Sequence, residues 1–151
     1  KIPVDHAPSS VAWGNGKFVA VGPGGGTGGA ILTSPDGHTW TDLTYSVNPP
    51  ILYSVAWGNG KFVAVGPGGP ELTSPDGSTW TSQNANTSQQ LYGVTWGNGA
   101  FVAVGEAGTV LTSPDGSTWT SQTPVTVEPL DGVTWGNGMF VVVGWAIITS
   151  S

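Results

Sequence analysis

The stretch V-A-W-G-N-G-K-F-V-A-V-G, Val11–Gly22, returns unchanged at Val55–Gly66. It recurs as VTWGNGAFVAVG at Val94–Gly105 and as VTWGNGMFVVVG at Val133–Gly144. A second block, L-T-S-P-D-G-x-T-W-T, occupies Leu32–Thr41, Leu72–Thr81 and Leu111–Thr120. The first tryptophan of each copy stands at 13, 57, 96 and 135, giving spacings of 44, 39 and 39. Insertions in Pro23–Ala30 and Thr41–Ser54 account for the longer first interval. A period near 40 residues without helical periodicity or caps matches four-stranded propeller blades better than helical repeats.

Each copy reads as four short strands. In the third copy these are Leu91–Trp96, Ala100–Gly105, Thr109–Ser113 and Thr118–Gln122. Asn98-Gly99 joins the first two, and Asn-Gly favours the type I′ hairpin because both central residues need positive φ. Ser113-Pro114-Asp115-Gly116 joins the last two. There proline presets φ, the aspartate bonds back to the turn, and glycine closes it. The expectation is an all-β propeller, one domain over 1–151, with blades about 9–44, 51–84, 90–123 and 129–151.

The S-P-D-G-S-T-W segment resembles the Asp-box of bacterial-neuraminidase-type repeats, and the W-G-N-G-x-F-V-A-V-G block resembles bacterial Asp-box-like propeller repeats. The turn here lacks the spacer between Asp and Gly. In that family the box is a structural turn at the blade periphery, so the resemblance implies a fold and not an activity.

The fourth copy stops at Ile147-Ile148-Thr149-Ser150-Ser151, where its fourth strand would begin. The surplus segment Lys1–Asp5 is expected to complete that blade as its outer strand, because an unpaired edge templates association. The competing expectation is an eight-bladed dimer of two four-blade arcs.

Composition excludes several functions. The net charge is −6, with three lysines and no arginine, so the surface would repel nucleic acid and anionic membranes. No apolar run is long enough for a membrane-spanning helix. With no cysteine and only His6 and His38, neither a metal site nor a cofactor is expected. A sialidase would clamp its substrate carboxylate with arginines, and there are none. Another glycosidase needs two carboxylates across one cleft. Asp36, Asp76 and Asp115 are turn residues; Glu71 and Glu106, read as lying in second-to-third-strand loops of neighbouring blades, are the pair able to approach. The chain is therefore expected not to be an enzyme, with a glycoside-acting fragment the weakest alternative. Gly24-x-Gly26-x-x-Gly29 matches a dinucleotide fingerprint formally, but a strand follows it rather than a helix.

Seven of eight tryptophans sit at repeat positions, as packing between blades would require. Trp145 lies off that grid. The Asn-Gly and Asp-Gly turns barely vary among copies, whereas the second-to-third-strand turns and the linkers between blades do. Because strands alternate in direction, these variable segments share one end, and binding residues favour loops held by a rigid frame. Trp145, Glu106, Glu71, Tyr45, Gln89 and Gln90 are the candidate ligand contacts. The expected function is recognition of a glycan or a protein surface in an extracellular, cell-surface or virion setting. The alternative is a structural component of a larger assembly.

Overall fold

The computed structural model describes residues 6–26, 28–84 and 86–150. They form four antiparallel sheets, each built from one sequence repeat. Blade 1 holds β1 (Ser10–Gly14), β2 (Lys17–Pro23), β3 (Gly29–Ser34) and β4 (Thr41–Asp42). Blade 2 holds β5 (Ser54–Gly58), β6 (Lys61–Val65), β7 (Pro70–Ser74) and β8 (Thr81–Asn84). Blade 3 holds β9 (Leu91–Gly97), β10 (Ala100–Gly105), β11 (Val110–Ser113) and β12 (Thr120–Ser121). Blade 4 has three strands among the described residues, β13 (Leu130–Gly136), β14 (Met139–Gly144) and β15 (Ile147–Thr149). The fold is an all-β propeller, as the repeat predicts.

The turns follow their chemistry. Asn15, Asn59, Asn98 and Asn137 lie at φ of 47°, 45°, 49° and 49°, each followed by a glycine also at positive φ. That is the conformation a two-residue hairpin demands. In the Asp-Gly turn, the Oδ1 of Asp115 accepts the backbone N–H groups of Ser117 at 2.8 Å and Thr118 at 2.7 Å. Ser113 Oγ accepts the N–H of Gly116 at 2.8 Å. Asp36 and Asp76 repeat the arrangement. These bonds take N–H groups away from the sheet ladder, so the outer strand is shorter than the sequence reading, Thr120–Ser121 instead of Thr118–Gln122.

Within each blade a tryptophan faces a phenylalanine across the first hairpin. The ring centroids are 4.5–4.6 Å apart in all four copies. Between blades, Val19, Val21 and Ile31 of blade 1 pack with Val55, Phe62 and Leu72 of blade 2. Val63 and Val65 meet Leu91 and Phe101 in the same way, and Val102 and Val104 meet Leu130 and Val142. Two polar bonds tie the same joints. Asn15 Nδ2 donates to the Pro75 carbonyl at 3.2 Å, and Asn59 Nδ2 to that of Pro114 at 3.0 Å.

The outer strand assigned to Lys1–Asp5 lies outside the described residues. From Ala7 onward the chain runs with blade 1, the N–H of Ala7 donating to the Pro23 carbonyl at 3.1 Å and that of Ser9 to Val21 at 2.8 Å. The insertion after β4 contains one helical turn, α1 (Thr44–Val47), closed by Asn48 at φ 50°.

Candidate functional site

The Asn–Pro bonds hold the hairpin turns and Asp-Gly turns together at one end of the blades. The variable segments meet at the other. There the N–H of Gly29 donates to the Pro49 carbonyl at 2.9 Å, that of Leu91 to Gly66 at 3.1 Å, and that of Glu106 to Gln90 at 2.9 Å. Rigid strands thus present a set of chemically diverse loops on one surface.

The centre of this end is built from one repeat position, occupied by Ser9, Tyr53, Tyr92 and Asp131 in successive blades. It sits at or just ahead of each first strand, so these side chains line up along the innermost row. Ser9 Oγ donates to the Tyr53 carbonyl at 3.2 Å. The rings of Tyr53 and Tyr92 have centroids 5.8 Å apart. Tyr53 donates its hydroxyl to Gln90 Oε1 at 3.4 Å, and the Gln90 N–H points at Glu106 Oε2 at 3.5 Å. Partial burial raises the Tyr92 pKa, and the nearby Glu106 charge, Tyr53 and Asp131 push it further the same way. Glu106 opens a tight turn in which Ala107 and Gly108 both take positive φ, at 53° and 70°. β10 slips register between Val104 and Gly105 just before it.

Two peripheral features flank this centre. His6 donates from Nε2 to Asp42 Oδ2 at 3.1 Å while its Nδ1 accepts the Gly25 N–H at 3.2 Å, which fixes the tautomer. His6, Thr44, Tyr45, Asn48 and the glycines at 24–26 and 28–29 border a depression of about 240 Å³. Burial would raise the Asp42 pKa, but hydrogen bonds from the Thr44 side chain and backbone and from His6 outweigh it, and the net shift is downward. On the opposite flank Trp145 stands in the turn between β14 and β15, 83% exposed, beside a depression of about 140 Å³ shared with Thr126, Glu128 and Pro129.

Gln90 and Glu106 therefore come together, with Gln89 next to them in the linker before β9. Tyr45 lies on α1, 85% exposed, and Trp145 stands apart in blade 4. Glu71 is not in a loop. It lies within β7, its backbone paired with Gln83 of β8, because Gly68 and Gly69 at positive φ end the turn two residues earlier. Its side chain is outside the described residues. The expected Glu71–Glu106 loop pair is corrected accordingly. Tyr53 and Tyr92 are further residues of this site, and the signal for them is variation at the single repeat position where each first strand begins. Among the described residues no group of three or more His, Asp or Glu side chains is placed to hold a metal ion, and no helix is long and apolar enough to cross a membrane.

The chain superposes over its full length on YCF48 bound to D1 peptide, with TM-score 0.76, 16% identity and 54% of that chain covered. YCF48 from Cyanidioschyzon merolae gives TM-score 0.75 and 15% identity, with 55% of its chain covered. The computationally designed Ika4 protein gives TM-score 0.67 and 11% identity over 96% of this chain and 91% of that one. The chain thus spans about half the length of the YCF48 structures, and at these identities the likeness establishes the fold alone. No curated protein matches it in sequence. A model of the DUF6242 beta propeller domain matches residues 5–131, most of the length. With its sheets and its repeats in agreement with that match, the chain belongs to the DUF6242 beta propeller domain family.

Proposed function

We propose that this domain is a non-catalytic binding module that takes a polypeptide segment on the end of the propeller centred on Tyr53 and Tyr92. The observation that carries the reading is the Tyr53–Tyr92–Gln90–Glu106 cluster, where two tyrosine rings 5.8 Å apart stand beside a carboxylate. Tyrosine supplies broad contact area at small entropic cost and a hydroxyl for hydrogen bonding. Glu106, Glu128 and Asp131 lie at this end with no lysine among its described residues, whereas at the other end Lys17 and Lys61 offset the turn aspartates Asp36, Asp76 and Asp115. That asymmetry favours a segment carrying Lys or Arg. YCF48, of similar fold, has been seen bound to a peptide, which supports the reading without fixing the ligand.

The test is an array of synthetic peptides with and without Lys and Arg, probed with the purified chain. Basic peptides should be retained, and Tyr92→Ala or Glu106→Gln should weaken them by about tenfold or more, as for a central contact residue. Retention unchanged in both variants would rule the site out.

A second reading, glycan recognition, rests on the exposed rings of Trp145 and Tyr45, since indole and phenol faces stack on sugars. A glycan array in which Trp145→Ala abolishes a signal that Tyr92→Ala leaves intact would favour it. The third reading is a decoration component of an extracellular or virion assembly. Its mark would be stable association only with the other components of that assembly.

A further inference from the structure

The joint between neighbouring blades is made of the same parts each time. A Cβ placed on Gly14 would fall within the Trp57 indole, one on Gly58 within Trp96, and one on Gly97 within Trp135. Among the described residues the fourth copies of these parts are not joined. Gly136 has open space where the others have an indole, and Trp13 is 53% exposed. The apolar partners follow suit. Val141, Val143 and Ile147 of blade 4 occupy the positions of Val19, Val21 and Ile31, which are fully buried in blade 1, yet Ile147 is 75% exposed. At the other end of the arc, Val11, Ala20, Leu32 and Trp40 of blade 1 occupy the positions of Val55, Ala64, Leu72 and Trp80. They line a groove of about 390 Å³. Gly77 and Gly116 approach Val19 and Val63 of the preceding blade, while Gly37 approaches only Phe18 of its own.

The two end faces are thus the two unmatched halves of one interface that the chain has already made three times. We propose that they are joined by a second copy of this chain, blade 4 of each copy seating against blade 1 of the other. In that joint Trp13 of one copy covers Gly136 of the other. Val141, Val143 and Ile147 fill the groove over Leu32 and Trp40, and Asn137 donates to the Pro35 carbonyl as Asn59 does to Pro114. A head-to-tail contact of this kind closes when a two-fold axis makes both joints at once, leaving neither face bare. The continuity with the internal joints selects this occupant over an unrelated partner.

The experiment is light scattering across a concentration series on the intact chain and two variants. The wild type should weigh twice its 15.3 kDa. Gly136→Val meets nothing among the described residues of one chain and needs no unusual φ, so it should fold with unchanged circular dichroism and yet run as a monomer. Trp13→Arg should do the same from the other side. Mixing the two variants restores one joint in which both residues are native, and association should return in the mixture alone. A wild type monomeric at every concentration, a dimer that survives Gly136→Val, or variants that fail to complement on mixing would each overturn the proposal.

Discussion

Trp96 occupies the space that a side chain on Gly58 would need, since a Cβ built on that glycine would lie within the indole. Glycine is required here for proximity, as its φ is ordinary. Gly58→Ala should therefore cost about 1–3 kcal/mol, the usual range for forcing extra volume into a packed layer. Urea unfolding followed by tryptophan fluorescence reads this directly. A loss below about 0.5 kcal/mol, typical of unconstrained surface changes, would mean that the indole yields.

The Asp-Gly turns should make stability depend on acid. The Thr118 and Ser117 backbone N–H groups, with lesser help from Ser113 and the Thr118 side chain, lower the Asp115 pKa to about 2, and Asp76 behaves alike. An unfolded aspartate titrates near 3.9. Because the folded pKa is the lower one, this stabilisation is complete above about pH 4 and fades as pH falls toward 2. Asp115→Ala should cost about 1 kcal/mol or less at pH 7, discounted for solvent around the carboxylate. The difference between wild type and variant should vanish near pH 2. A gap that persists there would assign the turn's stability to something other than the charged carboxylate.

At the central cluster, removing the Glu106 charge should ease ionisation of Tyr92. Burial is the larger cause of the raised pKa and would remain, so Glu106→Gln should lower it part of the way toward the ordinary value of 10.0. Alkaline titration of tyrosinate absorbance, with Tyr92→Phe used to assign the late-titrating component, measures the change. No movement on Glu106→Gln would mean that the carboxylate turns away from the ring in solution.

Trp145 and Trp96 should separate cleanly. Trp145 is largely exposed, and Trp145→Ala should change stability by less than about 0.5 kcal/mol. Trp96 packs against the cluster of Val63, Val65 and Phe101, and truncating it should cost about 3–5 kcal/mol. Thermal melts of both variants decide the matter, and the reverse order would place Trp145 in the core.

The hairpins and the blade count were legible because their signals are local. Asn98-Gly99 dictates two backbone angles, and the repeat does the rest. Outer strands were overread because the bonds from Asp115 to Ser117 and Thr118 compete with the ladder, a competition invisible in β propensity. α1 is not legible in the sequence, since a single turn carries no helical period. Tyr53 and Tyr92 are not legible as loop variation, because this variable position lies at the strand entry. Repetition also misleads at the ends of an array. Trp13 has the same neighbours in sequence as Trp57, but among the described residues no glycine of another blade lies against its indole.

The tryptophan-over-glycine contact always points the same way along the chain, each blade offering a glycine forward and a tryptophan backward. A coupling with direction but no address says nothing about how many units follow it. A blade duplicated within such a chain arrives already able to connect on both sides, without further substitution. What sets the number of units in a ring is the taper of the valine, phenylalanine and tryptophan layer between sheets, because its thickness fixes the angle from one blade to the next. Changes of side-chain bulk in that layer, rather than in the coupling itself, are the route by which propellers of this kind would come to hold more or fewer blades.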